Sequence, residues 1–275
     1  MSSIEAARHY YAHLVAGRGG AHDRRVFDAF ARTPRERFVG DGPWTVFNFG
    51  GGYIDTPSAD PAWLYQDVLV ALSRDQGINN GAPSLHARCL DALAVQPGET
   101  VLHIGTGTGY YTSMLAALVG PTGSVLAYEI EPALLAKAKA NLAERANVAL
   151  HGVSGTSGSL PPCDAIYVNA GATQPVDAWL DALRPNGRLL FPLTPDQGLG
   201  GMLLVSRADG ERWPARFVCA AAFIPCAGAR EQQMAAALAD AFRQQSLWTV
   251  RSLLRGTAPD ESCWVAGDGW WLSTR

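Results

Sequence analysis

Hydrophobic positions recur at helical spacing over residues 4–15, in a run closed by Gly17-Arg-Gly-Gly20, and again over residues 24–31, where Pro34 ends the pattern. Between residues 40 and 60, glycine, proline and aromatic residues follow one another with no period, so an irregular segment is expected there. Pro61 suits the first turn of a helix running to about Leu72, with Asp60 as its N-cap, and another helix is expected from Ser84, just after Pro83, to Ala94. From residue 100 the pattern changes to short apolar runs at 101–104, 125–128, 148–150, 165–168 and 188–193, separated by helical stretches at 111–118, 132–146 and 175–183. Short apolar runs suit strands buried on both faces. Their alternation with helices predicts an α/β fold whose central, mostly parallel sheet is doubly wound, with helices on both faces. Residues 202–206 and 216–223 are expected to finish the sheet, partly antiparallel, and the tail to add a helix at 230–243 and a hairpin of 250–254 with 264–272. The chain accordingly reads as an N-terminal helical, substrate-side segment (1–99), a cofactor-binding core (100–225) and a C-terminal extension (226–275).

Composition narrows the class. A chain of 275 residues with 48% hydrophobic and 17% charged side chains is ordinary for a soluble globular protein with one large core, or a main domain with a small appendage. A formal charge of -3 speaks against a nucleic-acid partner, which calls for a basic face. No apolar run approaches the roughly 20 residues that a membrane span requires, so no membrane partner is expected. The start, Met1-Ser-Ser-Ile-Glu-Ala, shows neither a basic opening nor an apolar stretch, so no secretory signal is expected. Cys89, Cys163, Cys219, Cys226 and Cys263 are scattered without C-x-x-C spacing, which suggests neither a disulfide framework nor a zinc site, and a reducing, cytoplasmic setting is expected.

The strongest chemical signal is Val101-Leu-His-Ile-Gly-Thr-Gly-Thr-Gly-Tyr110, a buried-strand pattern running into glycines at alternate positions and then a helix. Alternate glycines let a backbone turn sharply and approach a ligand, because no Cβ stands in the way. An acidic residue at the end of the next strand can accept both hydroxyls of a ribose. Glu129 stands there, 129 − 105 = 24 positions after the first glycine. The loop is G-x-G-x-G rather than the pyrophosphate-binding G-x-G-x-x-G, since residue 110 is Tyr, and it has no phosphate-binding Lys. This tighter form suits S-adenosyl-L-methionine, which carries a ribose and an amino-acid tail but no phosphate. No G-x-S-x-G nucleophile elbow is present, so a hydrolase is poorly supported, and the loop length speaks against a dehydrogenase.

The run from Val101 to Leu142, with Glu129-Ile130, resembles the first motifs of class I methyltransferases with their Rossmann-like fold, and within that class it is most similar to protein-L-isoaspartate O-methyltransferases. Three other stretches carry the likeness: Arg24-Arg-Val-Phe-Asp-Ala-Phe-Ala-Arg-Thr-Pro-Arg-Glu-Arg-Phe-Val39, Tyr53-Ile-Asp-Thr-Pro57, and Asp164-Ala-Ile-Tyr-Val-Asn-Ala-Gly-Ala172 through Gly187-Arg-Leu-Leu-Phe-Pro192. The resemblance covers about residues 24–225. It implies that Gly105, Thr106, Gly107, Thr108 and Gly109 surround the methionine portion of the cofactor and that Glu129, with Ile130, holds the ribose. It also implies that Ser154 and Gly155 contact adenine and that His103 and Asn169 belong to the cofactor shell. Ser154 stands where the family usually has Asp, and His103 where an acidic residue usually ends the first strand.

On the substrate side the resemblance breaks. The family's Ser-Gln-Pro or Ser-Ala-Pro turn reads Gly81-Ala-Pro83 here, within Gly77-Ile-Asn-Asn-Gly-Ala-Pro-Ser84, so Gly81 takes the serine's place. Tyr53, Asp55, Gly81 and Ser84 are the expected substrate contacts, with Asn79, Asn80 and His86 as the candidate catalytic residues. A carboxylate acceptor, ionised near neutral pH with an unperturbed pKa of about 4, needs no base, and loss of one hydroxyl hydrogen bond is worth about 1 kcal/mol, which Asn79 or Asn80 could restore. A nitrogen, phenol or carbon nucleophile would need a proton removed, for which His86 is the best-placed base. Other readings stay open: His86 as a packed helix residue, Asp55 as the organiser of its Thr-Pro turn, Asn79 and Asn80 as turn formers, and His103 as a core group. His9 and His13, four apart on a helix, lack a third ligand, so no metal is expected, and Trp264, Trp270 and Trp271 are expected to pack the terminal hairpin. Arg24, Arg25 and the Arg32 to Arg37 cluster, balanced by Asp23, Asp28 and Glu36, read as solvated helix faces.

The reading is an S-adenosyl-L-methionine-dependent methyltransferase. The resemblance implies a peptide or protein (iso)aspartyl carboxylate as acceptor. A small-molecule acceptor is the alternative because of Gly81, and a non-catalytic cofactor-binding scaffold is the alternative of another class.

Overall fold

The computed structural model describes residues 2–48 and 52–275. The chain forms two compact units, one from Met1–Gly98 with Thr106–Gly152, the other from Glu99–Gly105 with Val153–Arg275.

In the first unit, α1 (Ser3–Gly19) opens with a capping box between Ser2 and Glu5 and closes at Gly20, which takes the left-handed conformation. The helix does not stop at Gly17 as its periodicity predicts. A Cβ on Gly19 would lie 2.5 Å from the Ser84 carbonyl oxygen, so the small residues let the last turn of α1 meet the head of another helix. Tertiary contact here outweighs the poor helix propensity of glycine. Asp23 caps α2 (Arg24–Arg32) by accepting from the Arg25 N–H.

Residues 40–60 are not irregular throughout. β1 (Thr45–Asn48) and β2 (Gly52–Asp55) pair antiparallel, although residues 49–51 lie outside the described residues. The helix expected to reach Leu72 is a single 3-10 turn, Pro61–Leu64, capped by Asp60 as its sequence predicts. Beyond it the chain becomes β3 (Leu69–Ser73) and β4 (Ile78–Asn79), giving a four-stranded antiparallel sheet in the order β2-β1-β3-β4. Val46, Leu64 and Val70 pack with Val39 and Trp44 beneath it.

Arg35 braces this segment. It is fully buried, not solvated, and its guanidinium donates to the carbonyls of Leu64 (2.7 Å), Gln66 (3.0 Å) and Val68 (2.6 Å) and to Asn80 Oδ1 (3.2 Å). These backbone acceptors take up the terminal N–H groups of a buried guanidinium, while its Nε is buried with no partner among the described residues.

Pro83 then opens α3 (Pro83–Leu93) at its first turn. After β5 (Thr100–Ile104), which belongs to the second unit, the first unit resumes with α4 (Tyr110–Val119), β6 (Ser124–Tyr128), α5 (Pro132–Asn141) and β7 (Val148–His151). β6 and β7 pair in parallel, the geometry that a strand–helix–strand crossover requires.

In the second unit, β5 pairs in parallel with β8 (Cys163–Val168), and β8, followed by α6 (Asp177–Ala182), pairs in parallel with β9 (Leu183–Leu193). β10 (Gly200–Ser206) and β11 (Arg212–Ala221) extend this sheet antiparallel, as the sequence predicts. After α7 (Gln232–Gln244) come β12 (Ser252–Arg255), β13 (Cys263–Gly267) and β14 (Trp270–Ser273). The expected hairpin is a three-strand extension: β12 joins β11 on one side and β14 on the other, and β13 pairs with β14. The indoles of Trp264, Trp270 and Trp271 are buried in it. No helix among the described residues is long and apolar enough to cross a membrane.

Candidate functional site

The chain passes from one unit to the other inside the glycine turn, between Gly105 and Thr106. Gly105, Gly107 and Gly109 all have positive φ (79°, 59° and 97°), a conformation costly for any residue with a Cβ. Crowding adds to this at Gly109, the N-cap of α4, where a Cβ would stand 2.7 Å from Leu142 Cδ1. At Gly107 the nearest neighbour to an added Cβ is Leu72 Cδ1 at 3.9 Å, which brings β3 of the small sheet over the turn.

In the first unit, Glu129 follows β6 directly and is 7% exposed. Its Oε2 accepts from the Gly107 N–H (2.6 Å) and its Oε1 from the Glu131 N–H (2.9 Å), so the carboxylate ties the strand end to the turn. Thr106 donates to the Tyr128 carbonyl through both its N–H and its hydroxyl, each at 3.2 Å. The Thr108 carbonyl accepts from the Asn141 amide at 2.9 Å. Burial pushes the Glu129 carboxyl above its ordinary range, while the N–H groups of Glu131 and Gly107 pull the other way. The Ile130 N–H is a third backbone donor to this carboxylate, so of about four lone-pair sites about one remains. Ile130, expected beside the ribose, is 54% exposed.

In the second unit, a Cβ on Gly105 would lie 3.4 Å from the Asn169 backbone carbon, so Gly105 lets the two segments close on each other. Asn169 donates its Nδ2–H to His103 Nε2 at 2.8 Å, which a neutral ring protonated on Nδ1 accepts. His103 is fully buried and stacks on Tyr167, and burial pushes its imidazole down to about 3, so it is a neutral group in place of an acid. The Asn169 Oδ1 is buried and has no hydrogen-bond partner among the described residues, which leaves one acceptor for an external donor. The Ser154 hydroxyl is bonded to the Thr156 hydroxyl (2.8 Å), and Gly155 donates no side chain where a Cβ would meet Ile104 at 2.9 Å.

The substrate-side candidates also fall in the first unit. Asn79 Oδ1 accepts from the Gly81 N–H (2.9 Å), making the local turn that Asn favours. Asn80 is buried and structural: its Oδ1 accepts from the Val70 N–H (2.9 Å) and from Arg35. Ser84 donates its backbone N–H to Asp67 (2.9 Å) at the head of α3. His86 is 2% exposed and lies flat on Tyr111, with centroids 3.6 Å apart. Tyr53 is 38% exposed against Phe47, and the exposed Asp55 accepts from the Thr45 hydroxyl (2.6 Å) across the β1–β2 pair. Sequence reasoning missed Arg35, Leu72 and Tyr111, because none carries a local signal: their roles come from partners far along the chain. His9 and His13 both pack against Phe27. A groove of about 960 Å³ lined by Arg25, Arg32, Pro97, Ala117 and Arg145 lies at the C-terminal end of α4, away from Gly109.

Residues 13–231 match the family model described as protein-L-isoaspartate(D-aspartate) O-methyltransferase. A protein-L-isoaspartate O-methyltransferase of Anaeromyxobacter dehalogenans is 35% identical over 214 residues, covering 74% of this chain and 91% of that protein. One of Aeropyrum pernix is 36% identical over 180 residues, covering 63% of this chain and 62% of that protein. Among solved structures, a protein-L-isoaspartate O-methyltransferase superposes with a TM-score of 0.67 at 24% identity, covering 80% of this chain and 66% of that one. A Plasmodium falciparum structure assigned to the same enzymes, solved in complex with S-adenosyl-L-homocysteine, gives a TM-score of 0.65 at 19% identity, covering 80% of this chain and 98% of that one. These structural likenesses carry the Rossmann-like fold.

Proposed function

Because the chain belongs to the protein-L-isoaspartate O-methyltransferase family and is therefore an S-adenosyl-L-methionine-dependent methyltransferase, we propose that it transfers a methyl group to the side-chain carboxylate of an isoaspartyl or aspartyl residue in a peptide or protein. The observation that carries the donor half of this reading is Glu129: a buried carboxylate at the strand end, anchored by the N–H groups of Gly107, Ile130 and Glu131 and left with some acceptor capacity for a hydroxyl. The residues fit the cofactor in two further respects. Gly105, Gly107 and Gly109 keep the backbone free of side chains, and Asn169 Oδ1 is a buried acceptor suited to a donor such as an ammonium or a hydroxyl.

When bound, S-adenosyl-L-methionine supplies an electrophilic methyl on a sulfonium. The protein's own contribution is alignment and exclusion of water. Glu129 holds a ribose hydroxyl and the glycine turn presents its backbone. Leu72 covers the turn with an apolar side chain. A carboxylate acceptor reaches the site already ionised, so no side chain has to remove a proton. Ser154 and Gly155 are assigned to the adenine and Tyr53 and Asp55 to the acceptor by the family resemblance. A cytoplasmic setting accords with the dispersed free cysteines.

A second reading, a small-molecule acceptor, is favoured by one observation: the residue-81 position carries no side chain and His86 crowds it. Transfer of labelled methyl from S-adenosyl-L-methionine to an isoaspartyl peptide, run beside small acids, amines and heterocycles, separates the two. Incorporation into the peptide as a base-labile ester is expected. Incorporation into a small molecule alone refutes the peptide reading, and incorporation into none refutes both.

A further inference from the structure

Gly81 and His86 are interlocked. Gly81 has φ 72°, and a Cβ built there would stand 2.8 Å from Cδ2 of His86 and closer still to its Nε2. The imidazole therefore fills the volume into which a side chain at residue 81 would project. His86 cannot readily withdraw, because its ring is stacked on Tyr111 with 15° between the planes and the residue is 2% exposed. Tyr111 lies in the first turn of α4, two positions beyond Gly109, and Asn79 fixes the other side by accepting from the Gly81 N–H. The pair is thus built into the same unit as residues 106–109 of the donor turn and is braced from both sides.

We infer that Gly81 and His86 act as one specificity-determining pair, in which α3 rather than residue 81 supplies the volume that shapes the acceptor side of the site. The inference rests on the proposed methyltransferase reading for what that side receives. Physically, a φ of 72° already favours glycine at residue 81, His86 adds a steric demand for it, and His86 is accommodated because residue 81 has no side chain. The acceptor under that reading is a carboxylate. In that transfer the O–CH3 bond forms as the S–CH3 bond breaks, the electron pair leaves with sulfur, and no proton moves.

The test is a double-mutant cycle of Gly81→Ser, His86→Ala and the two together, read by kcat/KM for an isoaspartyl peptide, by calorimetric affinity for S-adenosyl-L-homocysteine and by thermal unfolding. Gly81→Ser alone should lose at least tenfold in kcat/KM or fail to fold, since its Cβ meets His86 on top of the strain of φ 72°. His86→Ala should fold, bind S-adenosyl-L-homocysteine within twofold of wild type and lose at least fivefold in kcat/KM. The double variant should fold and recover at least tenfold over Gly81→Ser. Independent, multiplicative effects in the cycle, or a Gly81→Ser protein as active as wild type, overturn the pairing. So does a double variant that fails to fold. Activity of the wild type toward the peptide tests the proposed function separately. If the wild type binds the cofactor but leaves the peptide unmethylated, that acceptor reading fails. The pairing then stands only if the double variant gains transfer to the peptide that neither single variant shows, and falls if it does not.

Discussion

Replacing Glu129 by alanine probes the donor site most directly. The substitution removes an acceptor that takes the Gly107 N–H at 2.6 Å and the Glu131 N–H at 2.9 Å and has capacity left for a ribose hydroxyl. A hydrogen bond to a charged group is worth about 1.5–3 kcal/mol, so S-adenosyl-L-homocysteine should bind about 10- to 150-fold more weakly to the variant. Loss of the turn's anchor adds to this, because Gly107 then has to be held in its left-handed conformation without its acceptor. Burial acts in the opposite sense on stability. The carboxyl already sits above its ordinary pKa, which shows that desolvation opposes its charge, so the folded state should lose less than two full charged bonds, on the order of 1–2 kcal/mol. Calorimetric titration gives the affinity and thermal unfolding the stability. Glu129→Gln, which keeps one acceptor oxygen but turns an amide N–H toward a backbone donor, should fall between wild type and Glu129→Ala in affinity. Wild-type affinity within twofold in Glu129→Ala, with an intact unfolding transition, would remove Glu129 from the site and with it the physical basis for the donor assignment.

Acidification offers an independent check. A raised Glu129 pKa means that the native state takes up its proton at higher pH than the unfolded chain does, so donor affinity should decline on acidification from above the ordinary carboxylate range, and Glu129→Gln should flatten that decline. His103 carries the opposite sign. With its folded pKa at about 3 against an unperturbed 6.5, the native state stays neutral while the unfolded chain protonates, so its contribution to stability is full above about 6.5 and is lost as pH falls toward 3. NMR should show a neutral His103 ring at pH 5, and His103→Gln should be less acid-sensitive than wild type; an imidazolium at pH 5 would contradict the buried neutral pair with Asn169. Arg35→Met should destabilise the protein by about 3–5 kcal/mol, because Asn80 Oδ1 and the carbonyls of Leu64, Gln66 and Val68 lose their buried donor, and chemical denaturation should show it. Gly109→Ala should cost about 2–4 kcal/mol, from left-handed strain and from a Cβ 2.7 Å from Leu142 Cδ1, and a variant as stable as wild type would mean that the turn relaxes freely.

Much of this architecture is legible in residue order alone, and the reason is locality. Periodicity of 2 or 3.6 marks strands and helices from neighbours a few positions apart, so β5 to β9, the helices α4, α5 and α6 between them and the antiparallel β10 and β11 were readable to within a few residues at most boundaries. The glycine turn was readable for the same reason: alternate glycines dictate a backbone conformation in place, and Glu129 follows the next strand by chain order. Segments whose conformation depends on distant partners were not. The stretch after Pro61 carries a helix-start signal, yet β3 forms against β1, and Arg35 from about thirty positions upstream donates to the carbonyls that precede it.

The sequence by itself therefore determined the alternation of strands and helices, the glycine turn and the acid that follows β6, because each is written in short-range chemistry. Only the tertiary structure decided that Arg35 is a buried brace, that Asn80 belongs to that brace, and that Asn169 shares its amide with His103. It also decided that the ring of His86 occupies the space beside Gly81. Each of these is a question of which atoms meet. Burial and excluded volume act between residues that only the folded chain brings within a few ångströms of each other.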